Sequence, residues 1–433
     1  MTHNLWKRYP EYRHSGVDWL GEIPTHWNPM RLKFVAPTMD ARLETKPEEV
    51  PYVGLEHIQS GLGRYHLDES LQDVQSTVSA FHQGDVLFGK LRPYLAKVIH
   101  PDFCGVCTTE LLVLRPSSSA EGRYVFYQLL SHGFVETVNS LTYGAKMPRA
   151  GPDQVAGMRV AVPSGPEQRA IADFLDRETT RIDALIAKKE RLIELLQEKR
   201  TALIGQAVTK GLDPNVPMKD SGIEWLGQTP AHWSLTKVKR LFRVVNGSTP
   251  ATGVAEYWDG DTVWVTPDDL GQLTSDTITH GRRNISQLGH ASCATTLVPP
   301  GSLVLSTRAP IGHLAIAGVQ LCTNQGCKCL LPREVGNVRY FYYQLLAARP
   351  HLKSCGDGST FQELSSRKLE SVSLGCPPRR EQDAIAHFLD RETARIDAPV
   401  SKVHQAIDRL REYRTALISA AVTGKIDVRE AAR

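Results

Sequence analysis

The chain has 433 residues and carries 51 Lys and Arg against 47 Asp and Glu, a formal net charge of +4. Hydrophobic residues make up 41% and charged residues 23%, which excludes a largely disordered chain, and the length predicts two or three folded domains. No run approaches 18 apolar residues and the N-terminal residues lack a signal-peptide core, so we expect a cytoplasmic protein whose eight cysteines stay reduced. The small net charge neither indicates nor excludes a nucleic-acid partner, because a near-neutral total can hide a basic face.

The sequence contains an internal repeat. Residues 15–27 read SGVDWLGEIPTHW and residues 221–233 read SGIEWLGQTPAHW. Residues 167–186 and 381–400 are identical at fifteen of twenty positions, and RTALI recurs at 200–204 and 414–418. The intervening segments share only short echoes such as YQLL at 127–130 and 343–346. We therefore predict two similar scaffolds, related by a pseudo-two-fold axis, that carry two different heads.

The SG(V/I)(D/E)WLG repeat at the start of each half is typical of a short structural motif. Ser15 and Asp18 have the spacing of a capping box for a single helical turn that Gly21 would end. The tryptophans of the repeat are predicted packing anchors, and an aromatic ligand site is the alternative. Because the second copy follows the first long helix, the first copy should lie near the end of the second helix, with the two chain termini close together.

Long helices are predicted after each head. Residues 166–209 lack an internal proline, and apolar side chains recur with alternating spacings of three and four from Leu175. About 44 helical residues would span about 65 Å, more than one domain needs, so we expect an antiparallel coiled-coil pair that separates the heads. The predicted seam consists of Leu175, Ile182, Leu185, Leu192, Leu196 and Leu203 in the first helix and Leu389, Ile396, Val403, Leu410 and Leu417 in the second. Pro399 interrupts the second helix, which should either kink there or restart with Asp397 as its N-cap.

Catalytic and metal motifs are missing from the sequence. It contains no GxxxxGK[ST] phosphate loop, no HExxH, no GxSxG and no Asn/Asp-Pro-Pro-aromatic motif of adenine methylation. Cys104 and Cys107 have the spacing of half a zinc site. Cys107 matches Cys322 of the other half, and both lie beside apolar runs, which favours buried core thiols over metal ligands.

Polar, basic and aromatic residues in loop-like contexts of the heads are the candidate contacts to DNA. Arg and Lys can bind guanine, Asn and Gln can bind adenine, and Lys, Ser and Thr can bind phosphates. Each residue alone is more often part of an ordinary solvated loop, and for the histidine a surface position is an equally good alternative. The candidates are Lys90, Arg92, Tyr94, Lys97, Tyr143, Lys146 and Arg149 in the first head and Arg308, His313, Asn324, Gln325, Ser359, Thr360 and Gln362 in the second.

The doubled SG(V/I)(D/E)WLGxxPxHW and EQxAIAxFLDRETxRID motifs, together with TRAPIGHLA and FGKLRPYLAK, resemble the specificity subunit of type I restriction–modification enzymes. The resemblance implies two mixed α/β target-recognition domains that each read one half of a bipartite double-stranded DNA site. It implies that the helices set the unread spacer and dock two methyltransferase subunits, which motor-nuclease subunits join. S-adenosylmethionine, ATP and magnesium would then be cofactors of partner subunits, with none on this chain.

We therefore predict a non-catalytic α+β protein with recognition domains at 1–165 and 214–379 and spacer helices at 166–213 and 380–433. If about 27 residues of each helix pair, the spacer is about 40 Å long, or roughly 12 base pairs of DNA. Two alternatives remain open. One is a double-headed helical adaptor that binds proteins, and the other is a self-sufficient nuclease or methyltransferase.

Overall fold

The computed structural model describes residues 6–67, 76–308, 310–333, 336–357 and 362–429. It divides into two compact units, of which unit 1 comprises residues 1–190 and 403–433 and unit 2 comprises residues 191–402. Each unit thus contains one variable segment, the first part of one long helix and the last part of the other. The mixed α/β fold that the sequence predicts is confirmed.

Unit 1 is built from short strands and helices. Its described strands are β1 (Tyr12–His14), β2 (Glu22–Pro24), β3 (Asn28–Arg31), β4 (Thr38–Met39), β5 (Arg42–Leu43), β6 (Tyr52–Val53), β7 (Ile58–Gln59), β8 (Arg64–Tyr65), β9 (Val78–Phe81), β10 (Val86–Gly89), β11 (Val98–Ile99), β12 (Gly105–Thr108), β13 (Leu111–Leu114) and β14 (Arg159–Val162). Its helices are α1 (Leu32–Val35), α2 (Gly122–Leu130), α3 (His132–Ser140), α4 (Pro152–Gly157) and the first part of α5 (Gly165–Lys210).

Two four-stranded sheets form the centre of unit 1. One has the strand order β11-β10-β13-β4 and is antiparallel throughout, and the other has the order β5-β9-β12-β6 with β12 and β6 parallel. Val, Leu, Ile and Phe side chains of both sheets, with the Cys107 thiol, form a buried cluster. The β-branched and aromatic residues of these runs suit a pleated, buried surface.

Unit 2 repeats this plan with different strand lengths. Its described strands are β15 (Met218–Asp220), β16 (Gln228–Pro230), β17 (Ser234–Lys237), β18 (Phe242–Asn246), β19 (Trp258–Val265), β20 (Thr277–Ile278), β21 (Leu303–Ser306), β22 (Leu314–Ala317), β23 (Leu321–Thr323), β24 (Cys327–Pro332) and β25 (Ser373–Cys376). Its helices are α6 (Val238–Leu241), α7 (Pro267–Gly271), α8 (Gln287–Ala291), α9 (Val338–Ala347), α10 (Arg349–Ser354), α11 (Ser366–Ser371) and the first part of α12 (Arg379–Val422), together with the last part of α5.

A five-stranded sheet with the order β18-β24-β21-β22-β20 forms the centre of unit 2. One of its faces packs on α9 and on the portions of α5 and α12 that belong to this unit. The resulting core includes Val208 of α5, Leu305 of β21, Tyr343 of α9 and Leu389 of α12. The second head and its helices therefore share one hydrophobic core.

The two long helices confirm the helices predicted from the sequence. Helix α5 ends before Gly211, which adopts a φ of +75°, a conformation that glycine reaches without steric cost. Helix α12 continues through Pro399, so the predicted restart at Asp397 is wrong. Pro399 is exposed to solvent and therefore takes no place in the hydrophobic core. None of the helices in the described part of the chain is both long and apolar enough to cross a membrane.

The seam predicted along these helices needs a correction. Leu185 and Leu192 are 42% and 43% exposed, whereas Ile186 and Ile193 are 8% and 7% exposed. Counted from Leu175, the buried positions therefore recur first after four residues and then after three. The sequence-based prediction assumed the opposite order. Apolar residues occur at both sets of positions. The sequence-based prediction chose the set that contains Leu185 and Leu192, and those leucines are exposed. The other seam residues of the prediction are buried or half-buried, namely Leu175, Ile182, Leu196, Leu203, Leu389, Ile396, Val403, Leu410 and Leu417.

Each head is fastened to a long helix by the same polar network. In unit 1, Arg123 and the Tyr127 hydroxyl of α2 both donate to the Asp176 carboxylate, at 2.7 Å each. In unit 2, Arg339 and Tyr343 of α9 both contact Asp390, at 2.6 and 2.7 Å. This repetition gives the YQLL echo a structural reason, because the tyrosine of each copy binds the long helix.

The glutamine that follows this tyrosine binds the end of the other long helix. Gln344 donates to the Val208 carbonyl at 2.8 Å and accepts a hydrogen bond from the Gly375 N–H at 3.0 Å. Gln128 donates to the Val422 carbonyl at 3.4 Å and to the Ala161 carbonyl at 2.6 Å. The last carbonyls of a helix have no partner within it, so each buried amide supplies one.

The short repeat confirms its predicted packing role. Trp27 and Trp233 are fully buried, and the Gly21 N–H bonds the Val17 carbonyl in a single helical turn. The predicted capping box is wrong, since the Ser15 hydroxyl accepts from the Val17 N–H and not from residue 18. Within unit 1 the segment before β1 meets the end of α12, with Lys7 bridged to Asp427. The predicted proximity of the two ends of the chain is confirmed for these described residues.

One ion pair occurs twice because its residues belong to the repeat. Arg414 contacts Asp183 at 3.1 Å in unit 1, and Arg200 contacts Asp397 at 3.0 Å in unit 2. Both side chains of the first pair are 6% exposed, and Arg414 also donates to the Leu62 carbonyl of the head. In the second pair Arg200 is 28% and Asp397 is 53% exposed. The pair is therefore a buried anchor in unit 1 and a surface contact in unit 2.

Replacing the two arginines should separate these roles. We expect Arg414→Met to destabilise the chain by about 3 kcal/mol, because it removes one of the two cations that pair with the buried Asp183 carboxylate, the other being Arg64. The equivalent variant Arg200→Met should change stability by less than about 1 kcal/mol, since its pair is exposed. Urea denaturation followed by circular dichroism measures both, and equal losses would contradict the assigned asymmetry.

Candidate nucleic-acid interface

Two distant loops of the first head meet at the end of the β10–β13 pair. The N–H and carbonyl of Tyr143 exchange hydrogen bonds with those of Arg149, each at 3.0 Å. The Arg92 N–H donates to the Pro148 carbonyl at 2.8 Å, and the Ala150 N–H donates to the Lys90 carbonyl at 2.9 Å. Residues 90–97 and 143–149, which the sequence analysis selected separately, are therefore neighbours on one surface.

The first of these loops has a strained backbone. Arg92 and Ala96 adopt φ values of +50° and +46°, on either side of a 3₁₀ turn at Pro93–Leu95. Non-glycine residues rarely adopt this conformation, and such positions often occur at functional sites. The turn holds the Tyr94 ring outward with half of its surface exposed. Lys97 is half-buried and donates to the Leu55 carbonyl, so its ammonium supports the turn from inside the head.

Aromatic and cationic side chains share the exposed part of this surface. Tyr143 and Met147 are more than half exposed, and Lys146 lies between them on the same loop. Within the described residues, Arg92 and Lys146 have no ion-pair partner, whereas Arg149 pairs with Glu110 at 2.8 Å. Lys90 is half-buried. The loop therefore presents uncompensated positive charge beside exposed rings.

The second head has the same backbone arrangement. The Thr307 N–H donates to the Gly326 carbonyl at 2.8 Å, and the Leu364 N–H donates to the Thr307 carbonyl at 2.8 Å. Glu363 bridges to Arg308 and to Asp357, as Arg149 bridges to Leu91 and to Tyr143 in the first head. Arg308 therefore takes the place of Leu91, and Glu363 takes the place of Arg149. The two loop surfaces share a frame and differ in charge.

The candidates of the second head divide into exposed and supporting residues. The Arg308 guanidinium is exposed and pairs with Glu363 at 3.0 Å, and Gln362 is exposed beside it. The Asn324 side chain accepts from the Gly326 N–H at 2.9 Å and thus shapes the turn, while Gln325 accepts from the Thr249 hydroxyl. Ser359 and Thr360 lie outside the described residues.

His313 is half-buried, and its surroundings favour the neutral imidazole. Burial, followed by the nearby Arg349 and Lys353 charges, lowers the pKa of its imidazole. Its Nε2 atom lies 3.4 Å from an Arg349 nitrogen, so the ring acts as an acceptor there. A neutral imidazole in this position can orient Arg349 but adds no charge for a phosphate.

The cysteines lie where core thiols are expected. Cys107 and Cys322 are fully buried, and burial raises their pKa values to about 12 and about 11. A zinc ligand must be a thiolate, which these pKa values disfavour. Cys104 is exposed, and the described residues contain no cluster of three possible metal ligands.

Sequence reasoning missed the charged partners of the candidate cations. Glu110, Asp357 and Glu363 lie on the same surfaces, Lys328 is buried beneath the second one, and Lys368 pairs with Asp357 at 2.5 Å. Their positions carry no motif, and the residue types are common in solvated loops. The one available signal is the alternation of β24, in which Lys328 interrupts a run of apolar and cysteine side chains.

Residues 230–401 match the family described as the type I restriction modification DNA specificity domain. The chain is 37% identical over 166 residues to the type I restriction enzyme MjaIX specificity subunit of Methanocaldococcus jannaschii, and this alignment spans 38% of the length of each chain. It is 24% identical to the putative type I restriction enzyme MjaX specificity subunit of the same organism, over 95% of this chain and 96% of that one.

A solved structure shares the fold. It comes from work on the structural basis of complex assembly and conformational transition of the type I R-M system, with a TM-score of 0.71 and 20% identity over 92% of this chain and 98% of that chain. The family match lies in the second half of the chain, while the fold likeness extends over both halves. The resemblance of the chain to specificity subunits of type I restriction–modification enzymes is therefore confirmed, by the match of residues 230–401 to the DNA specificity domain and by the curated relatives named above.

Proposed function

We propose that the chain reads a bipartite, asymmetric sequence in double-stranded DNA, with one half read by each head. The recognition domains would comprise residues 1–165 and 214–379, and α5 and α12 would set the length of the unread spacer. The observation that carries this proposal is the loop surface that both heads build on the same backbone frame with different side chains. A shared frame with different charges suits two related domains that bind one polymer at different sequences.

The chemistry of the first loop surface supports DNA as its partner. Exposed Arg92 and Lys146 can neutralise phosphates, and the exposed Tyr94 and Tyr143 rings can contact bases or sugars. Protein–DNA interfaces are richer in positive charge than protein–protein interfaces. This favours DNA over the alternative of a helical adaptor that binds only proteins.

The remaining parts of the proposal concern partners. Two methyltransferase subunits would dock on the helices and motor-nuclease subunits would complete the restriction enzyme in the cytoplasm. S-adenosylmethionine, ATP and magnesium would be bound by those subunits, and this chain would have no catalytic role. The absence of catalytic motifs from the sequence agrees with this division of labour.

The first test measures DNA selection. The chain, co-expressed with its methyltransferase and incubated with random duplexes, should enrich one asymmetric bipartite sequence, with an affinity that falls steeply as salt rises. Enrichment of no sequence would favour the protein adaptor. Turnover by the purified chain alone with S-adenosylmethionine or magnesium would instead identify it as an enzyme.

Single substitutions should locate the first head on DNA. We expect Lys146→Ala to weaken binding of the selected duplex about tenfold and to reduce the slope of log affinity against log salt by about 1, because one phosphate contact is lost. Lys188→Ala removes an exposed lysine from α5 and serves as the matched control, with no expected change. Equal effects of the two variants in a filter-binding titration would refute the placement of DNA on the loop surface.

The spacer can be tested by lengthening both helices. Insertion of seven residues after Lys189 in α5 and after Val403 in α12 preserves the seam and adds about 10.5 Å to each helix. The selected DNA should then keep both half-site sequences and gain about three base pairs between them. Sequencing of the modified or selected DNA measures this, and altered half-site sequences would contradict the role of the helices as a spacer.

A further inference from the structure

A buried lysine lies beneath the loop surface of the second head. Lys328 belongs to β24, where its cross-strand neighbours are Asn246 and Leu305. Its side chain is only 6% exposed, and Leu330, two residues along the same strand, belongs to the hydrophobic core of unit 2. A buried ammonium is costly unless it is paired, so this lysine needs a specific reason to be there.

The first head has no charge at the equivalent position. Its β10–β13 pair places Leu112 opposite Phe88, as β21 and β24 place Lys328 opposite Leu305. Leu112 is 5% exposed, so an apolar side chain fills that site without difficulty. The fold therefore does not require a lysine at this position.

Lys328 and Arg308, a residue of the loop surface, pair with the same carboxylate. Its ammonium lies 3.8 Å from one oxygen of Glu363, and the other oxygen of Glu363 lies 3.0 Å from Arg308. The neighbouring Asp357 is paired with Lys368 at 2.5 Å. A single carboxylate thus balances two cations, of which Arg308 is 47% exposed and Lys328 is buried.

We propose that Lys328 is a positioning residue for DNA recognition, which takes over the Glu363 carboxylate when Arg308 leaves it to bind DNA. The inference rests on the proposed function of the second head. It assigns Arg308 to a DNA phosphate or base and gives Glu363 and Lys328 the task of controlling its release.

The electrostatics of the cluster favour this exchange. Without Lys328, removal of Arg308 would leave a half-buried carboxylate with no close cation, which is a strong penalty against release. With Lys328 present, the carboxylate keeps a partner, and the cluster of two cations and one anion gains the negative charge of DNA. Burial also lowers the pKa of the Lys328 ammonium, while the Glu363 charge raises it. Once Arg308 has left Glu363, the carboxylate therefore favours the protonated form of Lys328.

The experiment uses the complex of the chain with its methyltransferase and the duplex selected from random DNA. Lys328→Met, which resembles the apolar site of the first head, should weaken binding about tenfold because Arg308 stays on Glu363. Lys328→Met combined with Glu363→Gln should return to within about threefold of the wild type, because the competing charge is gone. Lys328→Arg should also bind as the wild type does.

Three outcomes would overturn the proposal. Wild-type affinity of Lys328→Met would show that no takeover occurs, and failure of Glu363→Gln to rescue it would show that the lysine has only a structural role. Glu363→Gln alone removes the carboxylate that competes with DNA for Arg308, and it does not depend on the folding of the lysine variant. Weaker binding by this variant would show that Glu363 itself contacts DNA. If the wild-type complex selects no DNA, the proposed function fails together with this inference, whereas selection without rescue refutes the inference alone.

Discussion

The repeated architecture depends on one contact in each unit, in which the buried side-chain amide of Gln344 or of its counterpart Gln128 binds the end of a long helix. Each amide lies on one helix of a head, α2 or α9, and donates to the last turn of a long helix, at the equivalent residues Val208 and Val422. The helix that ends there begins in the other half of the chain. A helix end needs partners for its carbonyls, and here a head supplies one from a buried side chain. Without these contacts each unit would lose the link between its head and one of its two helices.

The same helices of the heads also bind the beginning of the other long helix. Arg123 and Tyr127 contact Asp176, and Arg339 and Tyr343 contact Asp390. Each head is thus held by both long helices within its own unit. The variable loops can differ between the heads because none of these contacts involves them. The attachment to the long helices is therefore the same in both heads, while their loop surfaces differ.

Equivalent residues acquire different physical roles in the two units. The Arg414–Asp183 pair is buried and anchored to the first head, whereas the identical Arg200–Asp397 pair is open to solvent. Leu112 of the first head is replaced by Lys328 in the second, which introduces a charge that must be balanced by a loop carboxylate. The asymmetry therefore comes from the heads, since they decide what covers each repeated position.

The amino-acid sequence by itself determined the repeat, the two long helices, the packing role of the tryptophans and the family resemblance. These depend on the spacing of apolar residues and on identical residues in the two halves, which can be read along the chain. Only the tertiary structure decided which phase of the apolar pattern is buried, because Leu185 and Ile186 are equally apolar and differ only in what faces them. It also decided that α12 passes through Pro399, which lies on an exposed part of the helix. The ion-pair partners on the loop surfaces could not be predicted from the sequence for the same reason. Glu363, Arg308 and Lys328 meet only when three separate segments pack together.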